Sequence, residues 1–145
     1  LVLHVISVLH EEPALQTVDV RFQGANAVIG ADEAQLEQLL MNLILNAAHA
    51  SAGGAAIDVR ASSGEAYVAL TVKDSGAGMS RDVQARAMEP FYTTKAKGTG
   101  LGLAICRRIA ESHGGSISIE SKLGQGTTIV VKLPRNGQQL ETETN

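Results

Sequence analysis

Three alternating glycines, Gly98, Gly100 and Gly102, lead straight into Leu101, Ala104, Ile105 and Ile109, an apolar spacing that suits one helical face. Gly114 and Gly115 then stop that helix, because glycine takes the left-handed conformation at a helix end without strain. Whatever fold this chain adopts must therefore feed a flexible glycine loop into a helix N-terminus. Such an end carries unpaired N–H groups and partial positive charge, and it attracts phosphate. Lys95 and Lys97 lie just before it and add cations. By itself a G-x-G-x-G run is as often a tight turn as a phosphate site. No Gly-Lys pair exists for a P-loop, and residues 89–94 do not read as the buried strand that a dinucleotide fingerprint needs.

A second constraint lies upstream. Asp32 reads as the N-cap of a long helix over residues 32–51, stopped by Gly53 and Gly54. At about 100° per residue, Gln35, Gln38, Asn42, Asn46 and His49 share one narrow stripe of it. The rest of the circumference is apolar, so the helix is expected to be largely buried, and an amide stripe there needs partners. Asn42 and Asn46 either bond to nearby backbone or face a polar cavity and offer amide oxygens to a hard cation such as Mg²⁺. His49 reads as a rim residue rather than a ligand.

The third signal is Asp74, which ends an apolar strand and opens a D-x-G-x-G turn with Gly76 and Gly78. An Asx-turn is the plain reading. The functional one is a carboxylate aimed into a cleft, able to accept a proton from the exocyclic amine of adenine, with glycines leaving room for a flat ligand. Thr127 is a strand residue by pattern, and its hydroxyl is placed to reach the same base.

Around these the chain reads as alternating short elements. Residues 1–9 suit an amphipathic helix and 17–22 a strand, with a further short strand possible at 28–30. Residues 56–62 and 66–72 form a hairpin, 80–88 a short helix capped by Ser80, and 116–121 with 127–133 a second hairpin. The expected domain covers residues 1–134, followed by a polar, disordered tail over 135–145. With 145 residues, 44% hydrophobic and 19% charged, a single core suffices. A net charge of −3 gives no general attraction to nucleic acid or to anionic membrane. No apolar run reaches membrane-spanning length, and the lone Cys106 reads as a small core residue suited to a reducing compartment.

Taken in order, Asn42 to Asn46, the Asp74–Met79 turn, Glu89-Pro90-Phe91 and Gly98-Thr99-Gly100-Leu101-Gly102-Leu103 resemble the N, G1, F and G2 boxes of sensor histidine kinases. Those kinases belong to the gyrase/Hsp90/MutL-type ATP-binding superfamily, and the run Phe91-Tyr92-Thr93-Thr94-Lys95 looks most like their nitrogen-regulation branch. The resemblance implies an α/β two-layer sandwich, a mixed and largely antiparallel sheet with helices on one face and an ATP lid. It implies Mg²⁺ on Asn46 with help from Asn42, the adenine amine on Asp74, and a base pocket shaped by Gly76 and Gly78. Phe91 would anchor the lid. Thr94, Lys95, Gly98, Thr99, Gly100, Leu101 and Gly102 would line the phosphates, and Thr127 would lie near the adenine. Asn42, Asn46 and Lys95 would then be the catalytic set.

The implied function is donation of the γ-phosphoryl group of Mg·ATP to a histidine on a separate dimerisation helix domain, with a response regulator downstream and a cytoplasmic location. Neither nucleic acid nor direct membrane contact is expected of this chain. The acceptor motif is missing: His10-Glu11-Glu12-Pro13 is only superficially like it, so His4 and His10 are read as structural or solvent residues and the acceptor domain is expected before Leu1. ATP-hydrolysing relatives place a glutamate one turn before the metal-binding asparagine. This chain has Asn42 there, which favours transfer over hydrolysis; a serine-protein kinase of the anti-sigma type stays open.

Overall fold

The computed structural model describes residues 1–9, 18–24, 30–51, 55–89 and 102–135, and every structural statement here concerns those residues. In chain order the elements are α1 (Val2–Leu9), β1 (Asp19–Gly24), α2 (Glu33–Ala50), β2 (Ala56–Ser63), β3 (Tyr67–Asp74), α3 (Arg81–Arg86), α4 (Gly102–Ser112), β4 (Ser116–Lys122) and β5 (Gly126–Pro134). The strands form one sheet in the order β1-β2-β3-β5-β4. β1 pairs with β2 in parallel, since α2 intervenes as a crossover, and the remaining three pairings are antiparallel.

The helices cover one face of this sheet. Ile57 and Val59, then Val68, Leu70 and Val72, then Ile129, Val131 and Leu133 alternate inward along β2, β3 and β5. Against them lies the apolar face of α2, with Leu36, Leu39, Leu40, Leu43, Ile44, Ala47 and Ala48 all buried. This is the expected two-layer α/β sandwich. α1 adds Val5 to the same core. β4 ends the sheet, and the Gln84 side chain on α3 donates to the Ile119 carbonyl at 2.8 Å, occupying a backbone group at that edge.

The expected elements are present with small shifts. α2 has Asp32 as N-cap, its carboxylate accepting from the Gln35 N–H at 3.1 Å, and Ser51 as C-cap. β1 starts at Asp19 rather than 17, and α3 ends at Arg86 rather than 88. The second strand of the first hairpin extends to Asp74 itself. α4 ends as expected: Gly115 N–H bonds to the Ala110 carbonyl at 2.8 Å and Gly114 N–H to that of Glu111 at 3.0 Å, the pattern of a Schellman cap.

Of the expected apolar stripe on α4, Ile109 is buried, Ile105 packs half-buried against the core, Ala104 is half-buried and Leu101 lies outside the described residues. The buried face also takes in Leu103, Cys106 and Ala110 and continues one turn further to His113. Val28, Ile29, the turn at 25–26, His10, Gly53 and Gly54 lie outside the described residues, as do residues 136–145. Arg135 is tied to the domain through its N–H to the Ala66 carbonyl and through Gly30 N–H to its own carbonyl.

Candidate nucleotide-binding site

The seam between α2 and α4 sets the relative height of everything on it. His113 is 2% exposed, and its Nε2 lies 3.1 Å from the Asp32 N–H. A backbone N–H can only donate, so Nε2 accepts and the proton sits on Nδ1, which donates to the Ile109 carbonyl at 2.8 Å. Seven residues nearer the start of α4, Cys106 Sγ donates to the Leu39 carbonyl at 3.6 Å, and Leu39 is seven residues past Asp32. The helices are therefore antiparallel and in step, so the N-terminus of α4 at Gly102 opens level with the stretch of α2 that carries Asn42 and Asn46.

Asn42 and Asn46 are half-buried, whereas Gln35, Gln38 and His49 on the same stripe are exposed. Burial pushes the Cys106 thiol up to about 12, opposed in part by hydrogen bonding, including that of the Asn42 side chain. The Asn42 amide nitrogen is fully buried and has no conventional partner among the described residues. A sulfur is a weak acceptor, so the thiol answers that donor only partly. The nitrogen end of Asn42 is thus committed to the helix seam.

At the far end of α2 the D-x-G-x-G loop is locked from two sides. Ala77 N–H donates to the Ala50 carbonyl at 3.3 Å, and the Ala77 carbonyl accepts from Gly124 N–H at 2.7 Å. Both contacts require bare backbone. Gly78 has a φ of 73°, and a Cβ there would overlap the Lys122 carbonyl; one on Gly76 would overlap that of Ala50. Asp74 is 3% exposed, and its Oδ1 accepts from Gly76 N–H at 2.8 Å, so the Asx-turn reading holds.

Asp74 and Thr127 are directly paired across β3 and β5, and Thr127 is 4% exposed. Thr127 Oγ1 lies 2.8 Å from Ser121 Oγ, which also accepts from Met79 N–H at 2.8 Å and meets the Gly126 carbonyl at 3.0 Å. The sheet ends β3 and β5, the loop and the β4–β5 turn thus converge on one buried polar cluster beside α2.

Of the sequence-predicted residues, the structure brings Asp74, Gly76, Gly78 and Thr127 together at one sheet end. It sets Asn42, Asn46 and Gly102 on the adjoining helix seam. Phe91, Thr94, Lys95, Gly98, Thr99, Gly100 and Leu101 lie outside the described residues. Sequence reasoning passed over Ser121 and His113. Strict alternation along β4 puts Ser121 on the inward side with Ile117 and Ile119, and His113 continues the buried stripe of α4. Both signals were available. A neighbouring cleft of about 840 Å³ between α3 and β4 shares Met79 and Ser121 with this cluster and carries Arg81 and Lys122 on its walls.

The donor set suits Mg²⁺ on limited terms. Among the described residues no group of three or more His, Cys, Asp or Glu side chains is placed to hold a metal. Two asparagines offering amide oxygens fit a cation that takes its other ligands from phosphates and water, as Mg²⁺ does. Among the described residues no helix is long and apolar enough to cross a membrane.

The sequence profile of the histidine kinase-, DNA gyrase B- and HSP90-like ATPases matches residues 31–137. The sensor histidine kinase ZraS of Klebsiella oxytoca is 38% identical over 143 residues, covering 97% of this chain and 31% of that protein. Sporulation kinase C of Bacillus subtilis is 40% identical over 107 residues, covering 74% of this chain and 25% of that protein. The chain thus spans about a third or less of these curated relatives. Among solved structures, a nucleotide-free form of the catalytic domain of histidine kinase ThkA superposes with a TM-score of 0.83 at 30% identity, covering 95% of this chain and 92% of that one.

Proposed function

The chain belongs to the histidine kinase-, DNA gyrase B- and HSP90-like ATPase family, and we propose that it binds Mg·ATP and donates the γ-phosphoryl group to a histidine on a separate dimerisation helix domain, as the catalytic domain of a cytoplasmic two-component sensor kinase with a response regulator downstream. The observation that carries this reading is the buried Asp74 paired with Thr127 at a sheet end that abuts the asparagine helix. A buried carboxylate beside a hydroxyl matches the donor-then-acceptor edge of adenine, whose amine and N1 are neighbours. Gly76 and Gly78 let the Ala50 and Lys122 backbones pass against the loop that follows Asp74, which fixes that loop beside the carboxylate.

On this reading Asn46, with Asn42, holds Mg²⁺, which when bound neutralises charge on the phosphates. Thr94, Lys95 and the amides of Gly98, Thr99, Gly100, Leu101 and Gly102 hold the phosphate oxygens, the α4 N-terminus adds its partial positive charge, and Phe91 anchors the lid. Catalysis then consists of holding the γ-phosphoryl group in line with an incoming imidazole and spreading its charge. Asn42 stands where a hydrolase needs a base. An amide takes no proton from water, which keeps the bound nucleotide for the histidine.

The test is to mix the chain with a separately made acceptor-helix domain and Mg·[γ-³²P]ATP. Acid-labile, base-stable label on the acceptor domain is expected. Tight ATP binding with no transfer to any cognate acceptor, together with free phosphate release, would reassign the chain to the hydrolysing members of the family.

A further inference from the structure

Ser121 is the hub of the buried cluster, and the reading above gives it no task. Its oxygen meets three groups: Met79 N–H at 2.8 Å, the Gly126 carbonyl at 3.0 Å and Thr127 Oγ1 at 2.8 Å. The first can only donate and the second can only accept, while a serine hydroxyl has one proton and two lone pairs. Two settings follow. With the Ser121 proton on the Gly126 carbonyl, Thr127 must donate to Ser121, and it offers any ligand lone pairs alone. With the Ser121 proton on Thr127, the Thr127 proton is free to point elsewhere. Ser121 thus determines whether Thr127 is a donor or an acceptor.

Which setting a ligand selects depends on what Thr127 faces. Paired residues across an antiparallel ladder share a sheet face, so Thr127 stands beside Asp74. A carboxylate that accepts from the 6-amino group of adenine places that neighbour next to N1, which is an acceptor and needs a donor. We propose that Ser121 is a positioning residue for base recognition: its hydroxyl donates a hydrogen bond to Thr127 Oγ1, turning the Thr127 O–H toward N1 of adenine, while its grip on the Met79 N–H holds the D-x-G-x-G loop in place. The inference rests on the adenine-nucleotide reading above.

Three ligands separate the contacts: ATP, 1-deaza-ATP, in which N1 is a C–H, and purine riboside triphosphate, which lacks the 6-amino group. Calorimetric titrations with Mg²⁺ use the unmodified chain, Ser121→Ala and Ser121→Thr. The unmodified chain is expected to favour ATP over 1-deaza-ATP by about two- to tenfold, the worth of one net hydrogen bond. Ser121→Ala should lower that ratio, since nothing then orients the Thr127 hydroxyl, while keeping the preference for ATP over purine riboside triphosphate, which Asp74 reads. Ser121→Thr should restore it. Equal weakening of ATP and 1-deaza-ATP in Ser121→Ala, with the ratio kept, overturns the proposal and leaves the serine as a loop brace. Should Ser121→Ala fail to fold, Ser121→Cys, whose thiol is a far weaker donor, is the second variant: a fall in the same ratio supports the proposal and its persistence overturns it. If the unmodified chain binds none of the three nucleotides, the adenine reading falls, and this inference with it.

Discussion

His113, the residue after α4, and Asp32 at the head of α2 meet side chain to backbone, Nε2 to N–H at 3.1 Å, though 81 positions separate them. With the Cys106–Leu39 contact this joins the two helices at two heights and so sets where the α4 N-terminus opens against Asn42 and Asn46. His113→Ala would strand the Asp32 N–H and the Ile109 carbonyl and leave a cavity. We expect a loss of about 2–4 kcal/mol in urea unfolding. His113→Gln, which keeps a donor and an acceptor, should recover part of it.

Asp74 should set purine choice. Guanine presents a carbonyl oxygen where adenine presents an amine, which leaves two acceptors facing each other at a cost of about 1–3 kcal/mol. ATP is expected to bind at least about tenfold more tightly than GTP, and Asp74→Asn should weaken ATP binding and narrow the gap. Equal titration curves for ATP and GTP with the unmodified chain would remove Asp74 from this role.

Asn46→Ala deletes an amide oxygen from a half-buried position on α2. Binding of Mg·ATP should fall by about tenfold or more, while adenosine binding changes by less than about twofold. A melting curve must accompany the titration. A drop in melting temperature with no change in the Mg²⁺ dependence of binding would make Asn46 a structural residue.

Cys106 gives a pH signature. Its folded-state ionisation is pushed up to about 12 by burial, against a value of 9.0 when free. Below about pH 9 both states hold the proton and the thiol contributes no slope. Above it the unfolded chain releases a proton that the folded chain keeps, so stability falls with rising pH by up to about 1.4 kcal/mol per unit until the folded thiol ionises. Urea unfolding from pH 8 to 11 should show a steeper decline for the unmodified chain than for Cys106→Ala. For the same reason the native thiol should react slowly with iodoacetamide at neutral pH.

The chain by itself should bind ATP, hydrolyse it barely above background and take no label. Robust hydrolysis abolished by Asn42→Ala, or stable phosphate on His4 or His10, would contradict this; both are read out by incubating the chain with [γ-³²P]ATP.

Local signals made much of this visible in the residues alone. Asp32 and Ser51 bracket α2 as capping chemistry requires, and the amide stripe did prove to be the less buried side of that helix. Asp74, Gly76 and Gly78 were singled out by spacing, and the structure shows why glycine is needed there: foreign backbone, from Ala50 and Lys122, passes against them. What stayed hidden was long-range. No local pattern says that β5 inserts between β3 and β4, so the pairing of Asp74 with Thr127 could not be read from spacing. The buried His113 just past α4 was passed over because it is not aliphatic, and Ser121 was passed over among polar residues although the alternation of β4 places it inward.

The insertion of β5 also bears on how the protein is made. Among the described residues β5 is the last strand in sequence, yet it holds two others, β3 and β4, on its flanks. A ribosome adds about 5–20 residues per second, so for some seconds a growing chain has its β2–β3 hairpin but a bare β3 edge. During that interval Asp74 has no cross-strand neighbour and Gly126 has not yet closed over the Asp74 backbone. On the proposed adenine-binding reading, completion of the sheet and completion of the base pocket are then one event, and nucleotide would bind only to a chain whose synthesis has passed β5.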